Sequence, residues 1–330
     1  MSIKILITDC DHDSIEVERA EARKAGVELE LAQCATEEEV IAAAADSDGI
    51  VVQYAPITAN VLDALPRLKS IGRYGVGVDT LDVQAATDRG VVISNVPDYG
   101  TEDVSDHAIA LALTLGRGTA RLDRELRAGG FSLESVKPLH RFNTRVFGVL
   151  GLGLIGSATA RKAKGLGFTV IGTDPMREAG TVTDEGVEVV SQAELLASAD
   201  FISLHVPLNS HTHHLVDDSF LDQMKDGSVL LNTCRGGVVD TNAVVRALQS
   251  GKLYGAGLDV FEEEPLPEHH PILSEPNVVL TPHAAWYSEE SYTELKSRTI
   301  GNVIDFCAGK SPRNIYNPDA LKAVRQPASN

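Results

Sequence analysis

Positive charge is scarce in this chain. Its 330 residues carry 29 lysines and arginines against 47 aspartates and glutamates, a formal net charge of −18. Such a field draws in neither nucleic acid nor an anionic membrane surface, which excludes both as principal partners. An anionic small molecule would have to be captured by individual cations. Cysteine is scarce as well: Cys10, Cys34, Cys234 and Cys307 form no CxxC pair and no dense framework, so free thiols in a reducing cytoplasm are expected. No apolar run is long enough to span a membrane, and Met1-Ser2-Ile3-Lys4 leads straight into a strand without the look of a signal peptide. The expectation is a cytoplasmic protein. What is present is ordinary for a well-packed globular chain, 43% apolar and 23% charged. The length exceeds what a single core usually serves, so two domains are expected.

Strand and helix patterns alternate along the first hundred residues. Ile3–Thr8, Glu28–Ala32, Gly49–Gln53, Leu68–Ile71 and Val91–Ser94 are short apolar or β-branched runs, the pattern of buried parallel strands. Between them Ser14–Ala25, Thr36–Ala45, Thr58–Leu65 and Thr80–Asp88 have helical spacing behind capping residues. Thr36 with Glu39 is a capping-box pattern. A long helical pattern runs from Glu102 to about Arg127. Further strands are expected at Val187–Val190, Phe201–His205, Val229–Asn232, Gly255–Val260 and Asn277–Thr281, alternating with helices at Gln192–Ala197, Asp217–Met224 and Thr241–Leu248. A last helix covers Ser288–Ala308, and the tail Val324–Asn330 reads as disordered.

Gly151-Leu152-Gly153-Leu154-Ile155-Gly156 follows the strand pattern Arg145–Leu150 and precedes a helix pattern over Ser157–Leu166. Phe168–Gly172 is a second strand, and Asp174 comes eighteen residues after the last glycine. This is the dinucleotide-binding βαβ arrangement. The first glycine permits the tight turn, the second admits the pyrophosphate to backbone N–H groups, and the third lets helix pack on strand. The helix N-terminus favours phosphate charge. Asp174 would accept hydrogen bonds from the adenosine ribose hydroxyls, so NAD is expected and NADP disfavoured, with Arg177 nearby as the opposing feature.

Three later segments each end a strand pattern with a chemically useful residue. Asn232-Thr233-Cys234-Arg235-Gly236-Gly237 offers an arginine able to hold a carboxylate with two hydrogen bonds. Asp259-Val260-Phe261-Glu262-Glu263-Glu264-Pro265 offers carboxylates, and Thr281-Pro282-His283-Ala284-Ala285-Trp286 offers a histidine able to pass a proton to an alcohol oxygen. Ligands of such sheets bind at the carboxyl ends of the strands, so these residues can converge.

Together with Arg73-Tyr74-Gly75-Val76-Gly77-Val78-Asp79 and Asn95-Val96-Pro97, these motifs make residues 1–315 resemble a D-2-hydroxyacid dehydrogenase. Within that family, 208–215 and 283–288 are most similar to the branch of the C-terminal-binding proteins. The resemblance implies two doubly wound α/β domains, with a Rossmann NAD domain (101–287) inserted in a flavodoxin-like substrate domain (1–100 and 288–330). It implies Arg235 as substrate anchor, and His283 as acid/base with Glu264 as its partner. Arg73, Val76 and Gly77 would hold the substrate carboxylate with Tyr54, and Trp286 would wall the side-chain pocket. Cofactor contacts would come from Thr101, Gly151, Gly153, Leu154, Ile155, Gly156, Asp174, Pro207, Asp259 and His283. The implied activity is reduction of a small 2-keto acid with NADH, in a homodimer built around the NAD domain and the 102–145 segment. Cys234 departs from the pattern, since alanine is commoner before the arginine.

Other features read as structural. His211, His213 and His214 lack a convergent carboxylate or cysteine pair, so no metal site is expected. Glu262 and Glu263 fall outside the family position and read as a solvated acidic turn, and His107 as a packed helix residue. The competing class is an NAD(H)-gated scaffold of the C-terminal-binding-protein kind with weak dehydrogenase activity. All three catalytic positions are retained, which favours the enzyme.

Overall fold

The computed structural model describes residues 2–323, so the tail Val324–Asn330 lies outside the described residues. The chain divides into two compact units, one made of the residues up to Tyr99 with those from Ser288 onward, the other of Gly100–Tyr287.

In the first unit the strands are β1 (Lys4–Ile7), β2 (Glu28–Leu31), β3 (Gly49–Val52), β4 (Ser70–Arg73) and β5 (Val92–Ser94). All pair in parallel, in the order β2-β1-β3-β4-β5. Helices α1 (Glu16–Ala25), α2 (Glu37–Ala43), α3 (Ala59–Ala64) and α4 (Val83–Asp88) make the crossovers. Local chemistry starts two of them where expected: Thr36 and Glu39 form the capping box of α2, and the side chain of Thr58 caps α3. The other two start later than expected: α1 begins at Glu16 with no side-chain cap, not at Ser14, and α4 is capped by Asp82, not Thr80. The innermost strand β3 is buried along its whole length, which is why it reads as a continuous apolar run and not as an alternating one.

The second unit opens with α5 (Thr101–Arg117) and α6 (Thr119–Arg127). The pattern that reads as one helix from Glu102 to Arg127 is broken at Gly118, which is left-handed at φ 63°. A Cβ there would lie 2.6 Å from Val136 Cγ1, so both backbone angle and close packing require glycine. Strands β6 (Val146–Leu150), β7 (Thr169–Thr173), β8 (Glu188–Val189), β9 (Phe201–Leu204), β10 (Ser228–Asn232), β11 (Leu253–Leu258) and β12 (Val278–Leu280) form one parallel sheet, ordered β12-β11-β10-β9-β6-β7-β8. Helices α7 (Leu154–Gly165), α8 (Gln192–Ser198), α9 (Asp218–Gln223) and α10 (Thr241–Ser250) connect them. Alternate residues of one strand serve opposite faces: Phe201 packs with α5 and α7, Ile202 and Leu204 with the cluster beneath α8, α9 and α10. Both sheets are of the doubly wound kind, and each order reverses direction at an inner strand, where ligands of such sheets bind.

The chain returns to the first unit through α11 (Glu289–Cys307), which begins at a Ser288–Ser291 capping box and packs on α1, β3 and β4.

Candidate active site

The glycine turn follows β6 directly. Gly151 has φ 96°, and a Cβ on it would lie 2.4 Å from the His205 carbonyl oxygen. A Cβ on Gly156 would lie 1.9 Å from the Gly151 carbonyl oxygen. Both positions therefore exclude any side chain. The helix α7 begins at Leu154, three residues before the sequence pattern places it, because the last glycine and its two predecessors are already helical. No side chain caps this N-terminus, and nothing lies within 4 Å of a Cβ built on Gly153. Open space before uncapped N–H groups is a cradle that fits a pyrophosphate.

Asp174 sits just beyond β7. Its Oδ2 accepts the Leu152 N–H at 2.8 Å and its Oδ1 the Met176 N–H at 2.9 Å, so the acid holds the glycine turn. The Arg177 guanidinium donates to the Leu152 carbonyl at 3.3 Å, which places a cation on the same turn.

Four consecutive strands of this sheet deliver the remaining polar groups at their carboxyl ends. After β9 come His205 and Pro207; burial pushes His205 down to about 3, and its Nε2 lies 2.8 Å from Ser203 Oγ. After β10 comes Arg235, with Asn232 accepting from the Cys234 N–H and donating to the Arg235 carbonyl, each at 3.0 Å. Burial raises the Cys234 thiol, so this unusual residue rests as the protonated thiol. After β11 comes Glu264, and after β12 comes His283.

His283 Nδ1 lies 2.7 Å from Glu264 Oε2, and both side chains are about a third exposed, at 34% and 33%. The other Glu264 oxygen accepts the Phe261 N–H at 2.8 Å. Burial alone would raise this carboxyl, but the His283 hydrogen bond and charge, the Phe261 N–H and the charge of Arg235 hold it below the usual carboxylate range. Glu264 is thus an anion facing Nδ1. Arg235, Glu264 and His283 are brought into one neighbourhood.

Asp259, buried at 1% exposure, carries the His283 loop. Its Oδ1 accepts from Thr281 Oγ1 at 2.6 Å and the Ala284 N–H at 2.8 Å, its Oδ2 from the Ala285 N–H at 3.0 Å, and its carbonyl from the His283 N–H at 2.7 Å. His107 joins from α5, with Nε2 2.9 Å from Thr281 Oγ1, so it belongs to this network and not only to helix packing. Sequence reasoning missed that link because His107 and Thr281 are 174 residues apart. Trp286 follows on the same loop, edge-on to Tyr287 at 5.6 Å, and its backbone flanks Gly100, just before Thr101 at the start of α5.

Tyr54, Arg73, Val76 and Gly77 belong to the first unit, at the carboxyl ends of β3 and β4. Asp9, after β1, was not singled out from the sequence, yet its carboxylate collects the N–H groups of Gln53, Tyr54 and Ala55 and fixes the Tyr54 turn. Arg73 donates to the Tyr74 carbonyl, folding back over Gly75, whose φ is 115°. Asn95 donates to the Val76 carbonyl at 2.5 Å. Among the described residues no group of three or more His, Cys, Asp or Glu side chains is placed to hold a metal, and no helix is long and apolar enough to cross a membrane.

Comparison with known proteins gives this arrangement a context. The family model of the D-isomer specific 2-hydroxyacid dehydrogenase NAD-binding domain matches residues 109–285. A glyoxylate reductase of Korarchaeum cryptofilum is 40% identical over 276 residues, 82% of each chain. Among solved structures, a glyoxylate reductase from Paecilomyes thermophila superposes with TM-score 0.86 at 29% identity, covering 96% of this chain and 98% of that one. An acyclic imino acid reductase in complex with NADPH and D-Arg superposes with TM-score 0.85 at 28% identity, covering 95% and 99%. That NADPH complex removes any general exclusion of NADP by this fold. From the family model and the span of these similarities, the chain belongs to the D-isomer specific 2-hydroxyacid dehydrogenases.

Proposed function

We propose that this oxidoreductase acts on the CH–OH group of 2-hydroxy acids and works as an NADH-dependent reductase of a small 2-keto acid. The observation that carries the reading is the His283–Glu264 contact of 2.7 Å beside Arg235. NADH, when bound, supplies the hydride. Gly151, Gly153, Leu154, Ile155 and Gly156 would receive its pyrophosphate, and Asp174 its adenosine ribose. The resemblance assigns Thr101 to the nicotinamide half, and Pro207, Asp259 and His283 to the cofactor without a subsite. Asp174 favours NADH, and Arg177 on the same turn is what a 2′-phosphate would need, so the NADH/NADPH preference is a matter for direct titration.

His283, held through Nδ1 by the Glu264 anion, presents Nε2 to the substrate oxygen and gives it a proton as negative charge develops there. Arg235 polarises the carbonyl and draws the charge that forms on it. Arg73, with the backbone at Val76 and Gly77 and the nearby Tyr54, is assigned the substrate carboxylate. Trp286 would line the side-chain pocket, as the likeness to the C-terminal-binding-protein branch implies. The names of the matched reductases make glyoxylate the first acid to try.

A homodimer is part of this reading. Helix α6 has no buried residue, and Leu126, Phe131 and Leu133 are 58%, 96% and 60% exposed, an apolar face that a second copy would cover. The four free thiols support a reducing cytoplasm.

The deciding assay follows NADH oxidation with glyoxylate, hydroxypyruvate, phenylpyruvate and 4-methylthio-2-oxobutyrate, with His283→Ala as control. Turnover of one acid, lost in the control, is the expected result. NADH binding without turnover on any acid would instead favour the cofactor-gated scaffold.

A further inference from the structure

Among the described residues only two that are not glycine have a positive φ: His283 at 52° and His214 at 49°. Each is paired with a glutamate, and both glutamates belong to one short turn. His283 meets Glu264 at 2.7 Å, and His214 Nε2 meets Glu262 Oε1 at 2.6 Å. The left-handed region is uncommon for any residue but glycine, so two such histidines, both paired with one short turn, need an explanation.

The second pair ties together the ends of three adjacent strands. His214 lies after β9, and its N–H donates to the Gly237 carbonyl after β10 at 2.8 Å. Its imidazole reaches across to Glu262, after β11. The other Glu262 oxygen accepts the Thr241 N–H at 2.9 Å, at the first turn of α10, where negative charge is favoured. Gly236 completes the lacing, because a Cβ on it would lie 1.8 Å from the Phe261 carbonyl oxygen. The turn that carries Arg235 is therefore pressed against the turn that carries Glu264. His213 stacks on His214 at 4.2 Å and holds the ring plane.

We propose that the His214–Glu262 pair is a positioning brace for the reaction, fixing the Arg235 and Glu264 turns against each other and so setting the imidazole of His283. The proposal rests on the reading of His283 as proton donor. His214 and Glu262 are positioning residues, since neither is assigned to substrate or cofactor. Removing the imidazole leaves Glu262 its Thr241 contact but cuts the tie to the β9 loop. The Glu264 turn then samples orientations in which His283 is misaimed, and small misplacement of a catalytic group is costly in rate.

The backbone angle supplies the test. Glycine takes φ 49° freely, so His214→Gly removes the side chain without straining the turn. With the preferred 2-keto acid, kcat is expected to fall about tenfold while NADH affinity stays within about twofold and Tm is not lowered. His214→Gln, whose amide nitrogen reaches about as far as the imidazole Nε2, is expected to restore most of the rate. Glu262→Gln is expected to match His214→Gly, and the two together to cost no more than either alone. Wild-type kcat in His214→Gly overturns the brace. So does a loss of rate that follows a loss of Tm, which would mean support of the fold alone. His283→Ala separates the two readings. Turnover that survives in it removes the proton-donor assignment, whereas an inactive His283→Ala beside a fully active His214→Gly removes only the brace.

Discussion

Lys296 and Glu18 form an ion pair at 3.0 Å with neither side chain exposed to solvent. The pair joins α11 to α1, so it fastens the helix that returns to the first unit onto the helix that follows β1. Tyr74 donates to the same Glu18 oxygen at 2.5 Å, and Lys296 also donates to the Ser14 carbonyl at 2.6 Å. Its ammonium lies 4.7 Å from the centre of the Tyr292 ring. Two buried charges are tolerated because they neutralise each other and Lys296 has further partners, although Glu18 Oε2 is buried without a hydrogen-bond partner.

Breaking the pair from one side strands the other charge. Lys296→Met is expected to lower unfolding free energy by about 3–5 kcal/mol in urea denaturation. Lys296→Met with Glu18→Gln should regain a good part of that, because no net charge is then left buried and Tyr74 keeps an acceptor. A double variant as unstable as the single one would show that packing, not the stranded charge, sets the cost.

Acid sensitivity should appear in two windows. Burial pushes His205 from about 6.5 down to about 3, so between those values the unfolded chain takes up a proton that native His205 refuses. Stability therefore falls as pH drops through that window, by at most about 1.4 kcal/mol per pH unit. Burial alone would raise Asp200, but Lys225 and Arg145, each at 2.8 Å, and the Val146 N–H hold it below its ordinary 3.8. What Asp200 lends is complete above that ordinary value and is lost as pH falls through the lowered one. His205→Gln should flatten the stability profile from pH 6 to 4, and Asp200→Asn should cost stability at pH 7 and progressively less as pH falls below 3.8. Unchanged slopes in urea titrations would discard these assignments.

The glycines of the turn should separate folding from binding. Gly156→Ala drives a methyl to 1.9 Å from a backbone oxygen, so loss of stability and of NADH binding together is expected. Gly153→Ala meets no protein atom within 4 Å, so Tm should hold while NADH affinity falls, on the order of tenfold or more. Calorimetry and fluorescence titration of both variants would show it. Full NADH affinity in Gly153→Ala would place the pyrophosphate elsewhere.

All four thiols should be sluggish. Burial raises Cys10, Cys34 and Cys234, and pushes Cys307 up to about 12. Since the thiolate is the nucleophile, iodoacetamide at pH 7.5 is expected to label the native chain slowly and all four positions after denaturation. Rapid labelling of Cys234, mapped by mass spectrometry, would mean that the Arg235 turn opens in solution.

Much of this was legible before any coordinates. Strand runs, the caps at Thr36 and Thr58 and the glycine turn each state a local preference that the structure keeps, whereas Ser14 and Thr80 do not cap α1 and α4. The breaks came where distant packing overrode local pattern: Gly118 divides a continuous helical pattern because Val136 occupies the space of a side chain, and α7 starts inside the glycine turn. Glu262, which reads as solvated, is instead paired with His214 and with the first turn of α10.

The sequence by itself determined the two parallel sheets and the dinucleotide turn, because periodicity and glycine conformation are properties of neighbours along the chain, and its family resemblance singled out Arg235, Glu264 and His283 for the proposal. The tertiary structure alone decided which groups hold those residues: Asp259 under the His283 loop, His107 on Thr281, His214 on Glu262, Asp9 under Tyr54, Lys296 against Glu18. Those pairings join residues from 22 to 278 positions apart. The loop pairings exist because parallel strands bring their carboxyl ends side by side, and those of His107 and Lys296 because helices pack on the sheets; no local rule of the chain encodes which segments will meet there.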